Sequence, residues 1–195
     1  MAIILASTSV TRRLLMRNTG IAFTIEPPPV DENRIKSDNL KSSPLEMATL
    51  LAKAKAIAVS QTHPAEVVIG ADQVLEFAGR NYDKPHTIEE AASQLRSLRG
   101  NTHRLLSAVC CARGGKSLWQ HCEQATLTMR NFSDRFLNDY LERIGSETLT
   151  SVGAYKLEGP GLQLFSAVEG DHFTILGLPM LPLLEFLRSV DEIPA

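Results

Sequence analysis

Cysteine is scarce in this chain and badly spaced for a framework. Three of the 195 residues are cysteine, at 110, 111 and 122. An odd count with no C-x-x-C pair argues against a disulfide scaffold and against a zinc site, and favours reduced thiols. Cys110 and Cys111 are adjacent, so on a strand they point to opposite faces and read as core or sheet-surface residues. His63, His86, His103, His121 and His172 are scattered and form no ligand pair. An excess of one charge is missing too: 20 Lys and Arg stand against 22 Asp and Glu, a formal net charge of −2. A nucleic-acid polymer is therefore not an expected partner, whereas a mononucleotide or another small anion needs only a local basic cluster. No apolar run approaches the roughly 20 residues of a membrane span, so no membrane partner is expected. Met1-Ala2-Ile3-Ile4-Leu5 has no charged leader ahead of its apolar residues. It reads as a first strand rather than a signal peptide, and a cytoplasmic location follows. Neither an internal repeat nor a low-complexity segment is present.

What is present is an ordinary globular composition, 44% hydrophobic and 22% charged. That predicts one domain with a full core over residues 1–190 and a frayed tail at 191–195. The organising stretch is Val67-Val68-Ile69-Gly70-Ala71-Asp72-Gln73. A β-branched run reads as a buried central strand, Gly70 permits a turn or a close ligand, and Asp72 falls where an open α/β sheet holds ligands, at a strand's carboxyl end. Taken alone, Asp72 reads first as a strand-end residue that caps a turn.

Before it, Ile3–Ala6 predicts a strand, followed by Ser7-Thr8-Ser9 and a short basic helix carrying Thr11, Arg12 and Arg13 that stops at Gly20. A hydroxyl-rich turn at a helix start, with an arginine fork, can cradle an anion; it can also be a plain serine cap with surface arginines. Pro27-Pro28-Pro29 delivers Asp31 and Glu32 on extended backbone, either to hold a hard cation or as solvated acids. Ser43-Pro44-Leu45-Glu46 is a capping box with proline at the first helical position. Its helix predicts a core stripe of Met47, Leu50, Leu51, Ala54, Ile57 and Ala58. Lys53 and Lys55 lie two apart, so only one of them can face a given site.

After Asp72, Val74–Phe77 and Tyr82–Lys84 read as a hairpin that returns Lys84 towards the aspartate. Thr87-Ile88-Glu89-Glu90 opens another helix, ending at Gly100. Residues 102–112 and 118–129 predict long strands joined at Arg113-Gly114-Gly115-Lys116. That turn resembles the end of a phosphate-binding loop but lacks the earlier glycine, where Cys110 stands. Ser133 starts a helix that Gly145 ends. Gly153-Ala154-Tyr155-Lys156-Leu157-Glu158-Gly159-Pro160-Gly161 suggests a lid or specificity loop. Leu162–Val168 predicts a strand, and Gly177-Leu178-Pro179 opens the last helix. Strands alternating with helices, plus long hairpins, predict an α/β fold with one mixed sheet.

These pieces, taken in order, resemble the Maf family of nucleoside triphosphate pyrophosphatases. Leu5-Ala6-Ser7-Thr8-Ser9 with Arg12, Val30-Asp31-Glu32, Lys55, Gly70-Ala71-Asp72, Lys84-Pro85, Gly153-Ala154-Tyr155 and Gly177-Leu178-Pro179 follow the family's order and spacing. The resemblance implies an α/β fold of ITPase-like (Maf/Ham1) architecture, with a strongly twisted mixed sheet flanked by helices and a cleft between two lobes. It implies hydrolysis of a nucleoside triphosphate to monophosphate and pyrophosphate, by water attack on the α-phosphate, with a divalent metal (Mg or Mn). Asp72 is then the general base, Glu32 and Asp72 hold the metal, and Ser7, Arg12, Lys55 and Lys84 bind phosphates. Gln73 and Glu158 resemble the branch acting on 7-methyl-GTP, where a carboxylate can accept from a guanine edge and favour a methylated, cationic purine. Thr11 departs from both branches, which show Trp or Arg there; Val10 replaces a proline and Ala54 a glutamate. The resemblance also suggests a homodimer and a role in clearing modified or non-standard nucleotides. A nucleotide-binding regulator of cell division or septum formation, with little turnover, is the alternative.

Overall fold

The computed structural model describes residues 2–194. The elements in chain order are β1 (Ile3–Ala6), α1 (Val10–Asn18), β2 (Phe23–Ile25), α2 (Glu32–Asp38), α3 (Pro44–Thr62), β3 (Val67–Phe77), β4 (Arg80–Tyr82) and α4 (Ile88–Leu98). There follow β5 (Thr102–Arg113), β6 (Lys116–Met129), α5 (Asp134–Ile144), β7 (Phe165–Glu169), a short helix α6 (His172–Ile175) and α7 (Met180–Ser189). Three 3-10 segments, Gly145–Thr150, Val152–Ala154 and Pro160–Leu164, connect α5 to β7. The strands form one mixed sheet in the order β2-β1-β3-β5-β6-β7, with β4 against β3. β1 runs parallel to β2 and β3, and the hairpin β3–β4 is antiparallel, as is β6–β7. The expected α/β class with a mixed sheet flanked by helices is therefore the one observed. Residue contacts divide the chain into two units: Met1–Gln73 with Leu106–Glu123 and Asp171–Ala195, and Val74–Leu105 with Gln124–Gly170.

In the first unit the period-2 alternation of β1 and β3 sorts side chains onto two faces. Ile3, Leu5, Val67, Ile69 and Ala71 pack with Leu15 and Met16 of α1 and with Leu178, Met180, Leu183 and Leu187. Ile4, Ala6 and Val68 pack with Val59 of α3. Each fully buried side chain of the size of Leu5 or Ile69 contributes about 2 kcal/mol. Gly70 belongs to the α3 face: a Cβ there would lie 2.3 Å from the Ala52 carbonyl oxygen and 2.5 Å from the Ala56 nitrogen. The glycine is needed for helix–strand contact and not for a turn.

Several details differ from expectation. The buried face of α3 is Met47, Ala48, Leu51, Lys55, Ala52, Ala56, Val59 and Ser60, while Leu50 is exposed and Ala54, Ile57 and Ala58 are half-buried. An alanine-rich helix gives a weak stripe, so its inner face is set by what lies opposite. Helices α2 and α6 were not anticipated; Asp31 and Asp171 cap them, accepting from the Arg34 and from the Phe173 and Thr174 N–H groups. The last strand begins at Phe165, because Pro160–Leu164 coils into a 3-10 segment. The tail expected to fray is tied down at 192: the Glu192 N–H donates to the Leu187 carbonyl at 3.0 Å, and its buried carboxylate pairs with Arg113. Ala195 lies outside the described residues.

In the second unit the Ala78-Gly79 turn takes positive φ at both positions, 51° and 77°, as the twist of a tight hairpin requires. Glu76 anchors it, accepting from the Gly79 N–H at 2.7 Å and pairing with Arg104 at 2.7 Å. Buried His103 donates to or accepts from the Tyr155 hydroxyl at 2.6 Å, and Phe165 packs against both rings. Gly153 has φ 76°, and a Cβ there would strike Leu75 and the Tyr155 ring, each at 2.6 Å. The glycine-flanked segment is thus a packed corner at 153–155 and not a loose lid; its exposed part includes Glu158.

Candidate active site

β1 ends at Ala6, paired with Gly70, while β3 continues to Phe77. Asp72 therefore stands beyond the carboxyl end of its parallel neighbour but inside its own strand, which corrects the strand-end placement read from Gly70. Its carboxylate faces α3. There the Lys55 ammonium donates to Asp72 Oδ1 at 2.6 Å and pairs with Glu32 Oε1 at 2.8 Å. Lys55 and Asp72 are buried, and Glu32 is half-buried. Lys53 is exposed, so the two-residue spacing separates the lysines as expected. Glu32 occupies the first turn of α2, where the helix end favours a carboxylate. Asp31 is exposed and caps that helix.

Arg12 enters from the first turns of α1. Ser9 Oγ accepts from the Arg12 N–H at 3.4 Å, and Ser7 Oγ accepts from the Ser9 N–H at 3.2 Å. The Ser-Thr-Ser turn thus supplies the helix cap, and Ser7, buried, directly follows β1. Arg12 Nε donates to the Gly177 carbonyl at 2.8 Å and Nη1 to the Ala71 carbonyl at 2.9 Å. Two carbonyls fix the plane of the guanidinium and leave three of its five donors for other partners. Burial draws Arg12 below its ordinary pKa, and the Asp72 and Glu32 carboxylates act against that shift. Arg12, Glu32, Lys55 and Asp72 thus form one electrostatic cluster.

Gln73 lies on the reverse face of β3. Its Nε2 donates to Ser107 Oγ at 2.9 Å, to the Thr174 carbonyl at 3.1 Å and to the Ile175 carbonyl at 3.0 Å. Thr11 is half-buried in the first turn of α1. Lys84, after β4, and Glu158 are both exposed in the second unit. Sequence reasoning missed Ser107, Thr174, Ile175 and Gly177 as partners; they lie 34 to 165 residues from the side chains they hold, so no local signal exists. The cysteines fall as expected: Cys110 and Cys111 are buried, and burial raises the pKa of both.

Asp72 and Glu32 bring carboxylate oxygens to 2.6 and 2.8 Å from a single positive centre, the Lys55 nitrogen. Oxygen donors on one cation suit Mg²⁺ or Mn²⁺. Among the described residues no group of three or more His, Cys, Asp or Glu side chains converges. A cation held by these two carboxylates would therefore take its remaining ligands from phosphate and water, as Mg²⁺ commonly does.

A mixed α/β sheet carries a carboxylate–lysine–arginine cluster just past a parallel strand end, the position at which open α/β sheets hold their ligands. The chain belongs to the Maf family; the family described as Maf-like protein matches residues 2–190. It is 49% identical to a nucleoside triphosphate pyrophosphatase of Paramagnetospirillum magneticum, covering 97% of this chain and 98% of that one. It is 48% identical to a 7-methyl-GTP pyrophosphatase of Rhizobium etli, covering 98% and 97%. A solved HAM1 protein from Coxiella burnetii superposes with a TM-score of 0.44 at 15% identity, covering 68% of this chain and 74% of that one, a likeness too distant to carry any of the reading. No helix among the described residues is long and apolar enough to cross a membrane.

Proposed function

We propose that this chain is a nucleoside triphosphate pyrophosphatase, a hydrolase of phosphoanhydrides that releases a nucleoside monophosphate and pyrophosphate. Family membership supports the reaction class, and the Lys55–Asp72–Glu32 cluster beside Arg12 is the observation that carries it to particular residues. Asp72 takes a proton from water as the water oxygen bonds to the α-phosphorus. The bond from that phosphorus to the bridging oxygen breaks, and pyrophosphate leaves with the electron pair. Lys55 and Arg12 offset the triphosphate charge, Arg12 on a guanidinium already oriented by two carbonyls. Ser7 and Lys84 add donors to the phosphates. Asp72 and Glu32 would hold a divalent cation, which would supply further charge compensation at the phosphates.

Base choice belongs to Gln73, Glu158 and Thr11, with a purine, 7-methylated for preference, favoured over pyrimidines. Equal or better kcat/KM for dTTP and UTP would contradict that preference. Such an enzyme works in the cytoplasm on modified or non-standard nucleotides. Hydrolysis in ¹⁸O-water tests the reaction. The reading expects label in the monophosphate and none in pyrophosphate; label in pyrophosphate, or inorganic phosphate as first product, refutes it.

A further inference from the structure

We propose that Ser107 is a positioning residue for substrate choice. It holds the Gln73 amide with its nitrogen turned into the protein, so that Gln73 meets a nucleobase only as a hydrogen-bond acceptor. The inference rests on the reading above, in which Gln73 faces the base, and adds the residue and the polarity of that contact.

The orientation of the amide follows from its neighbours. Two of the three groups around Nε2 are main-chain carbonyls, Thr174 at 3.1 Å and Ile175 at 3.0 Å, and carbonyls only accept. The end of the amide that faces them must be NH2. Ser107 completes the argument: its hydroxyl donates its one proton to the Thr174 carbonyl at 2.6 Å, which leaves its oxygen to accept from Gln73 at 2.9 Å. One Gln73 N–H goes to Ser107 and the other is shared by the two carbonyls, so both amide protons are used. These carbonyls end α6, where the regular helical donors run out; the Thr174 oxygen also accepts from the Gly177 N–H at 3.0 Å, and the Gln73 amide and the Ser107 hydroxyl add to it.

The frame is rigid on its far side as well. The Thr174 N–H donates to Asp171 Oδ1 at 3.1 Å, and the Thr174 hydroxyl donates to Glu123. Thr174 and Ser107 are both fully buried. Turning the amide over would set its oxygen against two carbonyls, leaving buried groups unpaired. What remains for a ligand is the Gln73 Oε1, and Gln73 and Arg12 both adjoin Gly177: a Cβ there would touch the Gln73 amide carbon at 3.7 Å and Arg12 Nη2 at 3.5 Å.

The test removes base donors one at a time. Kcat/KM is compared for GTP, ITP (no 2-amino group) and 1-methyl-GTP (no N1–H) in the wild type, Ser107→Ala, Ser107→Thr and Gln73→Leu. The wild type should lose about tenfold on at least one analogue. Ser107→Ala and Gln73→Leu should reduce that penalty to within about threefold, and Ser107→Thr should restore it. A retained penalty in Ser107→Ala or Gln73→Leu overturns the proposal, as does a wild type that treats all three alike. A separate measurement needs no turnover: the Gln73 side-chain amide protons in the free wild type should exchange slowly with solvent, and at least about tenfold faster in Ser107→Ala. Fast exchange in the wild type overturns the proposal. A wild type that releases no pyrophosphate from any nucleotide refutes the reaction instead, and the exchange rates still decide the orientation.

Discussion

Asp72 and Gln73 are neighbours in one strand and face opposite sides of it, and the two sides are built on different physics. On the α3 side a carboxylate, an ammonium and a second carboxylate meet within 2.8 Å. Charges so arranged can exchange partners: a polyanion can draw Lys55 away while another cation takes the carboxylates. On the α6 side every donor of a neutral amide is spent on fixed carbonyls and a hydroxyl. Such a group has one orientation and one face to offer. Under the proposed function, reactivity sits where partners can be traded and discrimination where they cannot.

The largest effect expected from breaking this contrast comes from Lys55→Met. Removing the ammonium leaves two carboxylates facing each other, which should cost about 3–5 kcal/mol of stability. Mn²⁺ without nucleotide should then bind at least about tenfold more tightly than to the wild type and recover most of the lost Tm. A Tm loss that Mn²⁺ leaves untouched would show that the two carboxylates do not form a cation site. Gly70→Ala attacks the α3 side through its packing. The new Cβ meets helix backbone at 2.3 and 2.5 Å, and a destabilisation of about 3 kcal/mol is expected from denaturant unfolding. A neutral result would mean that α3 can withdraw from β3 without loss.

A buried neutral group in the other unit extends the second half of the comparison. Burial lowers the pKa of His103 from 6.5 to about 4, so between these values the unfolded chain binds the proton that the folded chain refuses. Its contribution is complete above pH 6.5 and is lost as pH falls towards 4, amounting to about 2 kcal/mol between pH 7 and pH 5. His103→Phe should flatten that part of the stability–pH profile, and an unchanged slope would remove His103 as its source. The smallest effect is expected at Glu158→Gln: about a fivefold loss of purine over pyrimidine preference in kcat/KM, with little change on the poorer substrates. An unaltered preference would take Glu158 out of base choice.

Much of this was legible from residue order. The capping box at Ser43, the Thr87 N-cap and the buried run Val67–Ile69 act through neighbours a few residues away and formed as read, whereas Glu90 closes on the His86 N–H rather than on Thr87, and the hairpin turns over Ala78-Gly79 alone, with Arg80 and Asn81 already in the return strand. Lys55 rather than Lys53 faces the aspartate, as helical spacing allowed. The α3 stripe was misread because alanine marks no side of a helix strongly, and the contacts opposite, Gly70 above all, decide which side is buried. Helix α2 was hidden by its polarity, since it has no buried residue and rests on the Asp31 cap. The Gln73 network was out of reach altogether, because Ser107 and Thr174 are brought to it by strand order and by the α6 turn, not by spacing.

Pyrophosphate release by Asp72→Asn, on the nucleotide that the wild type turns over best and with Mg²⁺ present, bears most directly on the assignment of the hydrolytic step to the α3 side of β3. The expected result is a folded protein by circular dichroism whose kcat has dropped about 10³-fold, the size of effect that loss of a positioned base produces. Release at the wild-type rate would contradict it, and the base would have to be sought away from β3.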